Sequence, residues 1–230
     1  MKYLFLVLIW FSGVVLSFAQ ENNTKEIDSL YKEDHFYAGV TYNLLDNKPT
    51  DLNQSGFSLG FHLGYIKDIP INRNRNVAIG IGLGYSTNSF NQNLLINKDS
   101  NGDFVYNIIE DDQTYTKNKF SSHLIEVPIE FRWRTSTPSE YNFWRIYTGF
   151  KFGYAVINSS KYEGDLGRLK YTNNRDFNNF QYGLTMSAGY NTWNFHIYYP
   201  LNSIFSKDVI VEGKQLNLNV IKIGLMFYIL

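Results

Sequence analysis

One short stretch, VAIGIGLGY at residues 77–85, alternates a bulky residue with a very small one along its whole length. This alternation predicts a β-strand, because successive side chains of a strand point to opposite faces. Eight segments of the chain show the same pattern: 36–44, 57–65, 77–90, 119–134, 143–157, 180–190, 193–203 and 217–230. Each segment can hold the roughly 9–11 residues of a tilted strand that crosses a membrane.

The two faces of these predicted strands differ sharply in composition. One face is apolar: the 41 positions assigned to it contain no Asp, Glu, Lys or Arg, and Thr148 is their one polar residue that is not aromatic. The opposite face is small, polar or charged and contains eleven glycines: Gly39, Gly60, Gly64, Gly80, Gly82, Gly84, Gly149, Gly153, Gly183, Gly189 and Gly224.

Barrel geometry decides which face points outward. A soluble barrel would place its apolar face inside, but an eight-stranded barrel has a lumen only just wide enough for side chains. The bulky face must therefore point outward, and the glycine-rich face must fill the lumen. A lipid-facing Arg or Lys costs roughly 2–4 kcal/mol near the bilayer midplane, which explains the uncharged outer face. The sequence predicts an all-β fold: an eight-stranded antiparallel transmembrane β-barrel of the outer-membrane type with a filled lumen.

The first residues, MKYLFLVLIWFSGVVLSFAQ, have the layout of a secretory signal peptide. Lys2 forms a positive n-region, an apolar stretch follows, and Ser17-Phe18-Ala19 is a small-x-small cleavage site. We therefore expect a signal peptide at 1–19, a periplasmic N-terminal segment at 20–35 and the barrel domain at 36–230. A membrane-anchoring helix is the alternative for the first segment. Export by a signal peptide predicts location in the outer membrane of a Gram-negative cell.

The overall composition excludes several classes of function. The chain has 21 Lys and Arg against 21 Asp and Glu, so its net charge gives no reason to expect nucleic acid as a partner. It has no cysteine, which excludes disulfide scaffolds and thiolate metal sites. The run Gly80–Gly84 lacks the spacing and the following helix of a nucleotide-binding loop. We expect no cofactor and no metal.

Aromatic residues cluster near the predicted strand ends, where membrane barrels carry interfacial girdles. The predicted girdle consists of Tyr65, Tyr85, Trp133, Trp144, Tyr190 and Trp193.

The connections between the predicted strands form two sets. Turns such as Asn191-Thr192 and the longer turn 67–76 are placed in the periplasm, and polar loops of a dozen or more residues are placed outside the cell. In one of these loops Asn101-Gly102 predicts a hairpin, and the third and fourth strands are predicted to extend above the membrane as a ribbon.

The predicted lumen contains a group of charged side chains, most of them on the fourth and fifth strands. This lumen charge network consists of Glu126, Glu130, Arg132, Arg145, Lys151 and Lys222. Pairing of Arg134 with Phe143 across the turn would set Glu126 opposite Lys151 and Glu130 opposite Tyr147. Buried charges must be paired to be tolerated, so we interpret the network as a plug that fixes strand register. A gated conduction path or a proton relay is the alternative.

Two further motifs concern assembly and catalysis. The last strand, KIGLMFYI, is similar to the C-terminal signal recognised by the barrel-assembly machinery, with key positions at Lys222, Gly224, Phe227 and Ile229 and with Leu230 in place of the usual final aromatic residue. Outer-membrane lipid and that machinery are therefore expected partners.

Some lipid A deacylases use an outward-facing Ser/His pair, and Ser121 and His123 share a face. Their order is the reverse of that family's, so we expect no catalytic residue.

Three segments together, HLIEVPIEFRWR, YTGFKFGY and IGLMFYIL, resemble the small outer-membrane β-barrel family that includes the PorT-like proteins. The resemblance implies an eight-stranded barrel. It also implies a non-enzymatic accessory role in protein secretion by the type IX system, with periplasmic or outer-membrane secretion components as partners. A small solute porin and a lipid-modifying enzyme that uses Ser121 and His123 are the alternatives.

Overall fold

The structure, a computed structural model, describes residues 34–110, 113–135 and 143–229. The predicted signal peptide at 1–19 and nearly all of the predicted periplasmic segment at 20–35 lie outside these ranges. Within them, no helix is long and apolar enough to cross a membrane.

Eight long antiparallel strands form a closed ring: β1 (His35–Asp46), β2 (Leu59–Pro70), β3 (Val77–Asn91), β6 (Tyr115–Arg134), β7 (Trp144–Gly164), β9 (Phe180–Tyr190), β10 (Trp193–Pro200) and β13 (Asn219–Ile229). Five shorter strands lie in the connections: β4 (Leu94–Lys98), β5 (Phe104–Ile108), β8 (Gly167–Thr172), β11 (Ile210–Val211) and β12 (Lys214–Gln215). Pairing of β1 with β13 closes the ring between the two ends of the barrel domain. The predicted eight-stranded antiparallel barrel is confirmed.

The two predicted faces lie on opposite sides of the barrel wall. Every position of the predicted apolar face is exposed or half-buried, whereas the polar side chains of the other face are buried in the lumen except for the half-buried Gln181. Along β9, for example, Leu184 and Met186 are 41% and 50% exposed, and Thr185 between them is 4% exposed.

The glycines of β2 and β3 make room for a lumen tyrosine. Gly64 and Gly84 lie directly opposite each other in the β2–β3 ladder, and the phenol of Tyr37 passes over both. A side-chain carbon at Gly64 would lie 2.6 Å from the Tyr37 ring, and one at Gly84 would overlap its hydroxyl. In VAIGIGLGY this close approach accounts for Gly84, whereas side chains at Gly80 and Gly82 would meet Arg132 and Ile66 instead.

Several predicted boundaries are wrong at the strand ends. The second strand begins at Leu59 rather than at residue 57, the seventh ends at Pro200 rather than at residue 203, and His35 already belongs to β1. The predicted turn at 67–76 is reduced to 71–76, because β2 continues to Pro70, which pairs with Ala78.

The ribbon beyond the barrel differs from the predicted one. The predicted fourth strand, β6, does extend and reaches 20 residues, but β3 ends at Asn91, opposite Lys119. The rest of the extension is formed by β7, with 21 residues, and β8. We call residues 115–123, 157–164 and 167–172 the ribbon. The hairpin predicted at Asn101-Gly102 does form: β4 pairs with β5, and Gly102 has a φ of 89°.

The long connections pack into a hydrophobic cluster that fills their end of the barrel. We call this cluster the loop cap; its buried members are Leu45, Leu52, Phe90, Leu94, Ile96, Tyr106, Phe120, Phe177, Ile204, Phe205, Val209, Val211, Leu216, Leu218 and Val220. The Phe205 ring lies 4.5 Å from that of Phe177 and 5.8 Å from that of Phe120. The loops thus form a second core of their own.

We predict that Phe205→Ala destabilises the protein by roughly 3–5 kcal/mol, because it leaves a cavity among fully buried aromatic rings. Phe205 is 1% exposed, whereas Phe57 in the same set of loops is 79% exposed. Phe57→Ala is the matched control and is expected to cost less than about 0.5 kcal/mol. The measurement is urea unfolding in detergent micelles; equal costs for the two variants would contradict a packed loop cap.

Candidate functional site

The lumen contains two separate groups of charged side chains, and the first surrounds Glu126. This carboxylate projects inward from β6 and is 2% exposed. Its oxygens lie 3.3 Å from Lys151 Nζ on β7 and 4.0 Å from Lys222 Nζ on β13. Ser86 on β3 donates a 2.7 Å hydrogen bond to it, and His62 Nδ1 on β2 lies 3.5 Å away. One buried carboxylate therefore links five strands of the barrel wall.

The second group surrounds Asp68 near the end of the barrel that carries the short turns. Arg132 and Arg134 donate to its two oxygens at 2.9 and 2.8 Å. All three side chains have no exposed surface. The Nε atom of Arg132 also lies 3.7 Å from Glu130 Oε2. Each Asp68 oxygen thus accepts a charge-assisted bond, which is roughly twice as strong as a neutral hydrogen bond.

Aromatic rings supply the remaining contacts of the lumen cations. The Arg132 guanidinium lies 4.1 Å from the centre of the Tyr147 ring. The Arg145 guanidinium lies 4.5 Å from the Phe143 ring, and Lys222 Nζ lies 5.1 Å from that of Tyr198. Cation–π contacts of this kind strengthen when water is excluded. The positive charges in the lumen are therefore stabilised by aromatic rings as well as by carboxylates.

The structure divides the predicted lumen charge network into these groups. Glu126, Lys151 and Lys222 form the first, Glu130 and Arg132 belong to the second, and Arg145 packs among aromatic rings.

The predicted β6–β7 register is wrong by two residues. Arg134 pairs with Arg145 rather than with Phe143, so Glu126 lies opposite Gly153 and Glu130 opposite Gly149. β7 begins only at Trp144, after Phe143. A shift of two residues leaves every side chain on its predicted face, and Glu126 still reaches Lys151 diagonally.

Sequence reasoning missed the carboxylate at the centre of the second group. Asp68 was assigned to a turn, although the alternation of Leu63, Tyr65, Lys67 and Ile69 on the outer face already places it inward. The pattern was available but was read as ending too early. Arg134 lies on the lumen face of the predicted fourth strand but is likewise absent from the predicted lumen charge network.

The predicted girdle residues all project from the outer face, with exposures between 38% and 64%. Trp133, Trp144, Tyr190 and Trp193 lie together near the short turns, where Trp144 and Trp193 both pair with Tyr190. Tyr85 lies further along its strand and makes a 2.6 Å hydrogen bond with His123 Nδ1. Their role as an interfacial girdle stays a prediction.

The four predicted assembly-signal positions lie on the β13 strand, two on each face. Lys222 and Gly224 face the lumen, where Gly224 lies opposite Thr41 of β1. Phe227 and Ile229 project outward. Recognition of this strand by the assembly machinery also stays a prediction.

The Ser121 and His123 side chains both project outward but bind different partners. Ser121 Oγ lies 2.9 Å from Ser159 Oγ, and His123 bonds with Tyr85. In the described ranges, no hydrogen bond joins Ser121 to His123 and no carboxylate bonds with His123. Nor do those ranges contain three or more His, Asp or Glu side chains placed to hold a metal ion.

Comparison with known protein families gives the class of this protein. Residues 18–206 match the family model of the outer membrane protein beta-barrel domain. The match spans most of the chain, so the protein belongs to this family. It is an outer-membrane β-barrel protein.

Two solved structures resemble this chain at low sequence identity. One is the crystal structure of Ail, the attachment invasion locus protein of Yersinia pestis, with 13% identity over 86% of this chain and 97% of that chain and a TM-score of 0.36. The other is Ail in complex with the heparin analogue sucrose octasulfate, with 12% identity over 86% and 98% of the two chains and a TM-score of 0.33. Comparison with curated proteins finds no match.

We predict that Glu126→Gln destabilises the barrel by roughly 3–5 kcal/mol, because it leaves Lys151 and Lys222 buried without their carboxylate. Glu163→Gln is a matched control, since Glu163 Oε1 also lies 3.3 Å from a lysine, Lys117, but on the exposed ribbon. Its expected cost is below about 1 kcal/mol.

Urea unfolding of both variants in detergent micelles measures the difference. A Glu126→Gln variant as stable as Glu163→Gln would show that the lumen charges do not hold the barrel together.

Proposed function

We propose that this protein is a non-enzymatic, non-conducting accessory barrel of the outer membrane, which works through contacts with partner proteins. The proposed form of that role is assistance to protein secretion of the type IX kind, as in the PorT-like family. The observation that carries the first part is the filled lumen: Asp68, Arg132 and Arg134 block one end with side chains that have no exposed surface.

A solute pore would need a water-filled path through the barrel. The Asp68 group crosses the lumen at one level, the Glu126 group crosses it at another, and the loop cap fills the far end. Opening a path would break several buried ion pairs, and breaking one such pair costs about 3–5 kcal/mol. This arrangement favours a rigid plug over a gate.

The surfaces left for function are therefore external ones. The outer face meets lipid, and the long connections are packed into the loop cap, which leaves the ribbon, the loop surface and the short turns for contacts. The resemblance of HLIEVPIEFRWR and YTGFKFGY to the PorT-like family supports secretion components as the partners.

A lipid-modifying enzyme is less well supported. Hydrolysis by a serine nucleophile requires a base within hydrogen-bond reach of its hydroxyl. The bonds of Ser121 with Ser159 and of His123 with Tyr85 give each side chain a different partner.

We predict no stepwise conductance when the folded protein is inserted into planar lipid bilayers at voltages up to about 100 mV. The paired lumen charges leave no continuous aqueous path. A barrel with Asp68→Ala, Arg132→Ala and Arg134→Ala is the comparison, because it removes the group at one end but keeps the Glu126 group. Discrete, voltage-independent current steps from the wild-type protein would contradict the proposal and favour a porin.

We further predict that deletion of the gene lowers the amount of type IX cargo in the culture medium several-fold and that the wild-type gene restores it. A Ser121→Ala/His123→Ala gene is expected to restore it equally. Quantitative mass spectrometry of the medium measures cargo, and the lipid A mass spectrum of the same cells tests the enzyme. Normal cargo export in the deletion strain would reject the secretion role, and altered lipid A lost in the double variant would establish the enzyme instead.

A further inference from the structure

The outer face of the ribbon is organised in cross-strand rows. Ser89, Ser121, Ser159 and Thr172 lie opposite one another on β3, β6, β7 and β8, and form a row of four hydroxyl groups. The Ser121 and Ser159 hydroxyls bond to each other at 2.9 Å. Hydroxyl groups of this kind both donate and accept hydrogen bonds.

The next row outward consists of cations. Lys119 on β6 lies directly opposite Lys161 on β7, and Lys161 lies directly opposite Lys170 on β8. Residues opposite each other in an antiparallel pair share a face, so the three ammonium groups project from the same side of the ribbon. We call them the lysine row.

The lysine row faces away from the rest of the protein. On the other side of the ribbon Tyr162 is buried in a cluster with Leu95 and Ile109, and Leu169 packs against it. The lysine row is therefore on the side that continues the lipid-facing surface of β6 and β7. Lys161 and Lys170 are exposed, and Lys119 is half-buried.

The described part of the protein does not neutralise this row. Like charges directly opposite each other destabilise a sheet, yet none of the three lysines forms an ion pair with another described residue. The two nearest carboxylates along β7 and the turn after it, Glu163 and Asp165, are engaged elsewhere. Glu163 lies 3.3 Å from Lys117, and Asp165 accepts bonds from the Thr114 amide and hydroxyl at 2.9 Å, which lower the pKa of its carboxyl.

The height of the row relative to the bilayer follows from strand geometry. From Trp133 to His123 the β6 strand rises about 33 Å along its axis, or about 25 Å at a tilt of roughly 40°. That distance equals the height of the apolar band of a typical outer-membrane barrel, roughly 25 Å. The hydroxyl row begins two residues beyond His123, and Lys119 lies about 10 Å above His123 by the same geometry. Both rows thus fall at the level of lipid headgroups.

We infer that the lysine row and the hydroxyl row beneath it form a binding site for the phosphate groups of a phosphorylated glycolipid in the outer leaflet. The lysines supply the charge, the hydroxyls bond to phosphate and sugar oxygens, and the apolar face of β6 and β7 below them accommodates the acyl chains. Long lysine side chains reach toward the headgroup plane while their stems lie on apolar surface. This site is independent of the proposed accessory function.

The test compares lipid binding by the full chain and by Lys119→Gln/Lys161→Gln/Lys170→Gln. Each folded protein in zwitterionic micelles is titrated with diphosphoryl lipid A, with its phosphate-free form and with inorganic phosphate, and bound molecules are counted by native mass spectrometry. We expect the dissociation constant for diphosphoryl lipid A to rise about 10- to 100-fold in the triple variant. Wild type should bind the phosphate-free form at least about tenfold more weakly.

Two matched proteins separate site loss from general effects. Lys48→Gln/Lys207→Gln/Lys214→Gln removes the same charge from exposed positions elsewhere in the loops and should change the dissociation constant less than threefold. A variant with all three lysines of the row replaced by Arg keeps the charge and is expected to bind diphosphoryl lipid A like the wild type. Retained binding would show that substitutions in the row leave the ribbon folded.

Four results would overturn the proposal. An unchanged dissociation constant in the triple Gln variant would show that the lysine row does not bind the lipid. An equal loss of affinity in the loop control would indicate a non-specific effect of charge. Equal binding of the phosphate-free lipid, or displacement of the lipid by inorganic phosphate at the same concentration, would show that no glycolipid site exists.

Discussion

Closure of the strand ladder is the constraint on which the rest of this structure depends. In the hydrocarbon layer no water is present to pair with backbone amides and carbonyls, so a β-structure can cross only if its first and last strands pair. Here β1 and β13 meet that requirement with a continuous register from Phe36–Ile229 to Asp46–Asn219. Once the ring is closed, alternation fixes every other assignment: one face of each strand meets lipid, and the other shares a narrow lumen.

The narrow lumen then determines what the inner face can contain. Tyr37 fits only because Gly64 and Gly84 carry no side chain. Charged side chains fit where a counter-charge or an aromatic ring lies within reach, as Asp68 provides for Arg132 and Arg134 and the Phe143 ring provides for Arg145. Glycines and paired charges are thus two solutions to the same lack of space and water. The result is a barrel whose interior holds it closed and whose outer surfaces remain for interaction.

The alternation of apolar with small or polar residues predicted the fold and the two faces of each strand, because this pattern does not depend on how neighbouring strands are paired. For the same reason it did not determine register: a slip of two residues leaves Glu126 inside but changes its neighbour from Lys151 to Gly153. The predicted second strand stops at residue 65, so Asp68 falls in the predicted turn and its inward position is missed. The loop cap was not predicted at all, since residues such as Leu52, Phe177 and Phe205 come from separate loops with no shared period. Their association depends on tertiary contacts.

The central claim is that hydrocarbon chains, rather than water, surround the ring of large apolar side chains. The chain contains no cysteine, so single spin labels can be placed at Leu184→Cys and Met186→Cys on β9, with Asn101→Cys as the control in a loop. Electron paramagnetic resonance then compares collision with oxygen, which partitions into lipid, against collision with a water-soluble nickel chelate. The structure predicts high oxygen and low nickel accessibility at residues 184 and 186, and the reverse at residue 101. High nickel accessibility at residues 184 and 186 in a folded, lipid-reconstituted protein would contradict it.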